Sequence, residues 1–515
     1  MKAIKYSLLF SFIGLSSCND TIDLYPQSNL NASTFYSNQS ELNSALIGCY
    51  SGMQKALIEE WTLTELRSDN SVMGATGSSS TVNRDLTELD MLYPSTSHAG
   101  NYNYWLATYF NIRNTNLVLD ALGANYSASS GAMTFEDIKI PISDAIRKKL
   151  SAEASFIRAY HYFNMVRLYG DLFLAHEPIT PQEAKAINRV PKEEIYKLII
   201  ADLQNAAANA STVKFAQIAA ADLGRANSWS AKALLAKVYL TLNKKSEAAI
   251  LLQDIILNSG YSLNPSYANI FSTATEMSSE ILFAVRYRAG GLGLGSQFSN
   301  LFAPLNSGAA VANGDGSGYN FPTSELNNLY TAADARKSVN IGVYGTGTTA
   351  RLYPKKHISV MVVAKDSESD WPVIRYSDVL LLLAEAQGNT ASSLTLINQV
   401  RKRAGLTDIT ADKVNTTFTY EKALSDERRL EFAFENHRFF DLLRFNTTFS
   451  TITAEQTLKD HFALMYPTHY ITYAQPRLSV TDLQGNANAN RLILPIPQRE
   501  IDNNTQITIS QNAGY

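Results

Sequence analysis

The sequence predicts a mainly α-helical protein, a tetratricopeptide-like solenoid carrying long loop insertions and a few short strands. Three observations predict it. Long stretches place apolar residues at helical spacing. Two of them fold back as helix pairs with small residues at the contact. Two other stretches, about 71–104 and 288–321, break the period and intersperse aromatic residues, the second among many Gly, Asn and Ser. With 45% hydrophobic and 18% charged residues in 515, the chain can bury a large core and is not a disordered polymer.

In chain order, Lys2 and Lys5 precede an apolar run from Leu8 to Leu15. That run is too short to span a bilayer and reads as a secretory leader. Leu15-Ser16-Ser17-Cys18 resembles a bacterial lipobox, whose Cys is acylated and becomes residue one. More than one acyl chain makes such an anchor stable. The expected organisation is a signal peptide over 1–17, a lipidated N-terminus and tether over 18–34, and one domain over 35–515. Cys49 is then a lone thiol at a helical core position, so no disulfide framework and no Cys-based zinc site can form.

Periodicity predicts helices over 41–56, 105–122 and 144–169, the last stopped by Gly170. Pro191, Glu193 and Glu194 open another over 192–208. A helix pair follows over 228–242 and 246–258. Ala231, Ala233 and Ala236 on its first member let Ala248 and Ala249 approach, the logic of a tetratricopeptide hairpin. A second pair covers 376–387 and 391–403, ended by Gly405, and residues 281–287 read as a short strand. The first insertion holds Arg84, Tyr93, Tyr102 and Tyr104; the second holds Phe298, Phe302 and Tyr319.

Four segments together resemble the SusD/RagB family. They are Ala152-Glu153-Ala154-Ser155-Phe156-Ile157-Arg158-Ala159-Tyr160 through Tyr169-Gly170-Asp171; Ile374-Arg375-Tyr376-Ser377-Asp378 to Ala384-Glu385-Ala386; Asp426-Glu427-Arg428-Arg429-Leu430-Glu431-Phe432 through His437-Arg438 to Arg444; and Leu494-Pro495-Ile496-Pro497 ahead of Asn512 and Tyr515. With the lipobox they span the chain in the family's order. The resemblance implies a helical body of four tetratricopeptide-like units, without catalytic activity or cofactor, lipid-anchored at the cell surface on the outer membrane. It further implies capture of an oligosaccharide or polysaccharide and delivery to a SusC-like TonB-dependent porin. A peptide-binding RagB-like protein and an α-solenoid protein-interaction scaffold are the alternatives.

Sugar rings have apolar C–H faces and polar edges. A glycan site therefore needs exposed aromatic rings beside short polar side chains on loops. Asp69, Asn70, Arg84, Tyr93, Tyr102, Phe298, Tyr319 and Trp371 are the ligand-binding candidates on that chemistry. For Asp69 the competing reading is a structural pair with Arg67. Trp105 is expected to anchor its helix in the core.

Other chemistries find less support. Net charge is −3 with no basic stripe, so nucleic-acid binding lacks its electrostatic footprint. Glu427, Glu431 and Glu435 recur every fourth residue and invite a glycosidase reading. Carboxylates on one helix face cannot flank a substrate, and the interleaved arginines fit a salt-bridge-laced helix instead. Asn313 to Gly318 partly fits a calcium loop, but Ser324 stands at its twelfth position and a flexible turn is preferred. The seven His show no metal spacing.

Overall fold

The computed structural model describes residues 36–74, 81–473, 476–504 and 506–515. The leader, Cys18 and the tether over 18–34 lie outside the described residues. The architecture is the mainly helical, tetratricopeptide-like one the periodicity predicts. Among the described residues the strands form two-stranded antiparallel ribbons.

The first layer holds α1 (Gln39–Thr64), α3 (Ala99–Ala121) and α4 (Asp144–Tyr169), with α2 (Thr81–Asp90) between α1 and α3 in sequence. Asn38 caps α1 and Ser143 caps α4, each side chain accepting a first-turn N–H. Gly170 ends α4 at φ 73°. Next come α5 (Lys192–Asn209), α6 (Ser228–Thr241) and α7 (Lys245–Asn258). Then come α8 (Tyr376–Gln387) and α9 (Ala391–Arg403), followed by α10 (Thr417–Glu431) and α11 (Arg438–Thr448). Each neighbour packs on the last from α4 to α9, and α7 meets α8, so the two helix pairs join into one stack. Pro191 stands just outside α5 as its cap, not inside its first turn.

Small residues set the spacing where helices cross closely. A Cβ on Gly52 of α1 would stand 2.1 Å from Asn111 Oδ1 on α3. Asn111 cannot retreat freely. Its amide donates to the Cys49 carbonyl at 2.9 Å and lies 2.8 Å from His161 Nε2. Gly52→Ala is therefore expected to destabilise by about 1–3 kcal/mol through overpacking. Urea unfolding checks this, and a change below about 0.5 kcal/mol, the level of a neutral surface substitution, would contradict it. Cys49 is buried, and burial pushes its thiol up to about 12, which leaves it unreactive.

The structure corrects three expectations. The first insertion is not irregular: it contains β1 (Ser71–Gly74), α2 and the opening turns of α3. Trp371, a ligand-binding candidate, begins a buried strand, β4 (Trp371–Arg375), which pairs with β2 (Ile281–Val285) and runs straight into α8. The Glu427–Glu431–Glu435 series is no solvated ladder. Its arginine partners come from other elements, and α10 ends at Glu431. Arg375 reaches Glu280, Glu431 and Glu435 at 2.7, 2.8 and 2.8 Å. Arg336 holds Glu427 at 2.6 Å, Arg403 holds Glu280 at 2.8 Å, and Lys356 holds Glu435 at 2.7 Å. These side chains are buried, that of Arg403 at 4% exposure. Burial alone would raise the Glu435 carboxyl, but Arg375 and Lys356 outweigh it and hold it at about 2.

Candidate functional site

The two insertions, far apart in sequence, meet in one ribbon. β1 of the first pairs with β3 (Tyr319–Pro322) of the second, in the register Ser71↔Pro322, Val72↔Phe321 and Gly74↔Tyr319. Gly74 has φ 106°, and a Cβ there would stand 2.2 Å from the Gly318 carbonyl. Only glycine lets the strands cross at this point.

The ribbon's root is clamped by the Asp426–Arg444 segment. Arg438 grips Asp69 through two parallel hydrogen bonds of 2.7 and 2.8 Å. Arg429 lies 3.1 Å from the same carboxylate, donates to Asn70 Oδ1 at 2.9 Å and to Glu325 at 2.7 Å. Thr323, next after β3, donates its hydroxyl to the Asp69 carbonyl at 3.0 Å. Burial opposes ionisation of Asp69, yet the guanidinium groups of Arg429 and Arg438 hold its carboxyl well below the usual carboxylate range. Asp69 and Asn70 are both fully buried. They anchor the ribbon and are corrected from ligand contacts to structural ones. Arg67 is not Asp69's partner: it donates to the Arg491 and Leu492 carbonyls at 2.9 and 3.0 Å and lies over the Phe439 ring.

Glu65, also buried, accepts from the Asn436 N–H at 2.7 Å. Burial raises its carboxyl from 4.5 to about 8. Between those values the fold keeps a proton that the unfolded chain releases. The stability this contributes is thus full below 4.5 and lost as pH rises through about 8. Glu65→Gln is expected to lose less stability than the native chain between pH 6 and 9.5. Urea midpoints measure it, and parallel losses would contradict the assignment.

The remaining candidates separate into a buried pair and a surface set. Phe298 and Trp371 pack together with centroids 4.4 Å apart, and His357 stacks on Trp371 at 4.1 Å. Both are buried, Phe298 at 1% and Trp371 at 2% exposure, so neither offers a ring to a surface ligand. Tyr104 and Trp105 are likewise buried on α3. By contrast Tyr93 is 43% exposed, Tyr102 and Tyr319 are half-buried, and Arg84 is exposed with Glu88 at 3.0 Å. Tyr319 lies 6.2 Å from Trp61 at an interplanar angle of 22°, with Trp61 edge-on to Phe302 at 5.3 Å.

Sequence reasoning missed the groups that orient this surface set. The Arg491 guanidinium lies 4.9 Å from the Tyr93 ring and 4.5 Å from the Tyr515 ring. Arg499 lies 4.9 Å from Tyr102. The C-terminal segment brings them there. Leu494 N–H donates to the Leu168 carbonyl at 2.7 Å, and Asn512 donates to Tyr169 O at 2.8 Å. Neither arginine neighbours its tyrosine in sequence. The Leu494-to-Tyr515 motif was the one available signal that this segment docks on α4.

Asn313 donates to the Val362 carbonyl at 2.6 Å, and the Asp315 carbonyl accepts from Asn300 at 3.2 Å. The glycine-rich stretch is thereby tied down as a turn. Among the described residues no cluster of three or more His, Cys, Asp or Glu could hold a metal, and no helix is long and apolar enough to cross a membrane.

This geometry defines a class: a helical-repeat scaffold that holds aromatic side chains on paired insertions. The chain belongs to the SusD/RagB family. Residues 336–515 match the family model described as "SusD family", and residues 20–240 match "Starch-binding associating with outer membrane". A SusD-like protein of Formosa agariphila is 25% identical over 489 residues, covering 85% of this chain and 88% of its own. A SusD-like protein of Bacteroides ovatus is 25% identical over 430 residues, covering 70% and 74%. The same fold occurs in a "Laminarin binding SusD-like protein", with TM-score 0.74, 24% identity and coverage of 93% and 100%. It occurs also in surface glycan-binding protein A from Bacteroides thetaiotaomicron in complex with laminarihexaose, with TM-score 0.71, 19% identity and coverage of 92% and 99%.

Proposed function

We propose that this protein binds an oligosaccharide or polysaccharide outside the cell and delivers it, uncut, to a SusC-like TonB-dependent porin. It is anchored to the outer membrane through lipid on Cys18. The observation that carries the reading is the ribbon. It joins the two insertions and is clamped to the helical body, while Tyr319 of the second insertion and Arg84, Tyr93 and Tyr102 of the first stay exposed or half-buried. Rings supply flat apolar faces for sugar C–H surfaces, and Arg84 supplies directional donors for hydroxyls. The buried Glu427, Glu431 and Glu435 are each engaged by cations, which leaves no free carboxylate pair there for glycoside hydrolysis.

Relatives named as glycan-binding support the same ligand class. A screen of purified protein against starch-like, fructan, β-glucan, mucin and alginate-type polymers tests it, with laminarihexaose as the first oligosaccharide. Retention on at least one polymer, which is recovered at its original length, is expected. Failure on every polymer together with binding of peptides would overturn the proposal.

A further inference from the structure

A second cavity uses none of those surface rings. It opens between the outer face of α3, the segment 173–187 and the C-terminal residues Glu500, Asn503, Asn504 and Ile509, and encloses about 350 Å³. That is within the ~300–1,000 Å³ of small-ligand sites.

Its floor is aromatic and fixed. Trp105 lies 5.0 Å from Tyr109 and meets Phe173 edge-on at 5.9 Å. The Tyr109 hydroxyl donates to the Phe173 carbonyl at 3.0 Å and accepts from the Phe173 N–H at 3.1 Å. Its walls include the aliphatic side chains of Ile179, Ile187 and Leu106, the last 52% exposed. Asn116 holds one wall in place by donating to the Ala175 and Glu177 carbonyls at 3.0 and 3.1 Å. The site is therefore preformed.

The charges at its rim are unequal in their engagement. Arg113 and Lys185 are exposed lining residues whose side chains make no ion pair or hydrogen bond within the described residues, although Arg113 lies near enough to Tyr36 to favour the ionised form of its hydroxyl. The Glu500 carboxylate receives the Trp105 indole N–H instead. Glu177, also exposed, lines the cleft as well. A chain of methylenes would leave water there, and its anionic head would meet two cations that no carboxylate among the described residues pairs with.

We infer that this cleft binds an anionic amphiphile, with an aliphatic body between Leu106, Ile179 and Ile187 over the aromatic floor and a carboxylate or phosphate head met by Arg113 and Lys185. Displacement of 1-anilinonaphthalene-8-sulfonate from purified protein in detergent-free buffer tests it. Dodecanoate and dodecyl phosphate are expected to displace the dye, whereas dodecan-1-ol and dodecylamine bind about tenfold or more weakly for want of a charge-assisted contact. The tighter of the two anions tells a fatty acid from a phospholipid-type source. Leu106→Glu, at an exposed position, abolishes displacement without unfolding. Arg113→Ala with Lys185→Ala removes the preference for dodecanoate over the alcohol. Failure of dodecanoate on the native protein, unchanged binding by Leu106→Glu, or equal binding of dodecylamine would overturn the inference. Polysaccharide retention by Leu106→Glu is expected to match the native protein, which separates this result from the glycan reading.

Discussion

Replacing Arg375 with Met is expected to destabilise the fold by about 3–5 kcal/mol at neutral pH, because it strands buried carboxylates without their central cation. Arg375 contacts Glu280, Glu431 and Glu435 at once, and each is fully buried. Arg403 and Lys356 remain nearby but are already engaged with the same carboxylates. The sign of the pH effect follows. In the native fold, carboxyls such as Glu435 are held low, so their contribution is present above the ordinary 4.5 and lost as pH falls through about 2. In the variant these carboxyls rise, and protonation relieves the stranded charge. The difference between variant and native should therefore shrink between pH 7 and pH 4. The exposed pair Lys402–Asp408, 3.1 Å apart, is the control. Lys402→Met is expected to change stability by no more than about 0.5 kcal/mol. Urea unfolding at both pH values measures all three proteins. A loss below about 1 kcal/mol for Arg375→Met, at the level of an exposed pair, would show that the network is not what holds this region.

Replacing Tyr93 and Tyr319 together with Ala is expected to weaken saccharide binding by more than about thirtyfold, since truncating aromatic anchors typically costs about 2 kcal/mol or more. The melting temperature should move little for Tyr93→Ala, because that ring is 43% exposed. Tyr319 rests on Trp61, so its removal should cost somewhat more stability. Tyr319→Phe keeps the ring and separates stacking from hydroxyl contacts. Arg491→Ala should give a smaller loss, because the guanidinium lies over Tyr93 without being one of the proposed contacts. Calorimetric titration with the retained oligosaccharide measures each step. Equal affinity in native and double-variant proteins would remove both rings from the site.

Much of the scaffold is legible in the sequence because helices announce themselves locally. The spans 144–169, 376–387 and 391–403 follow from periodicity and caps alone. The family motifs are legible too, but their chemistry is not. Arg158, Arg375, Arg428, Arg438 and Arg444 look like surface charge in a linear chain, yet every one is buried in carboxylate pairs with residues remote in sequence. Those pairs tie the motif segments to one another: an unpaired member would be a costly buried charge.

Candidate ligand contacts fared unevenly for the same reason. Asp69 and Asn70 have the side chains a sugar hydroxyl wants, but Arg429 and Arg438, some 360 positions later, claim them. Phe298 and Trp371 sit in glycine-rich or irregular surroundings that suggest a surface, and long-range packing folds them under it. The β1–β3 pairing could not be foreseen either, since a four-residue strand has too short an alternation to fix a partner. Tyr93, Tyr102 and Tyr319 kept their surface positions because no element packs fully over them.

The most direct test is native gel retardation on a panel of embedded polysaccharides, run with the native protein beside the Tyr93→Ala/Tyr319→Ala variant. Retardation by at least one polymer, lost in the variant, with that polymer recovered uncut, is the predicted result. Free migration of the native protein on every polymer, undiminished retardation of the variant, or a shortened polymer would contradict it.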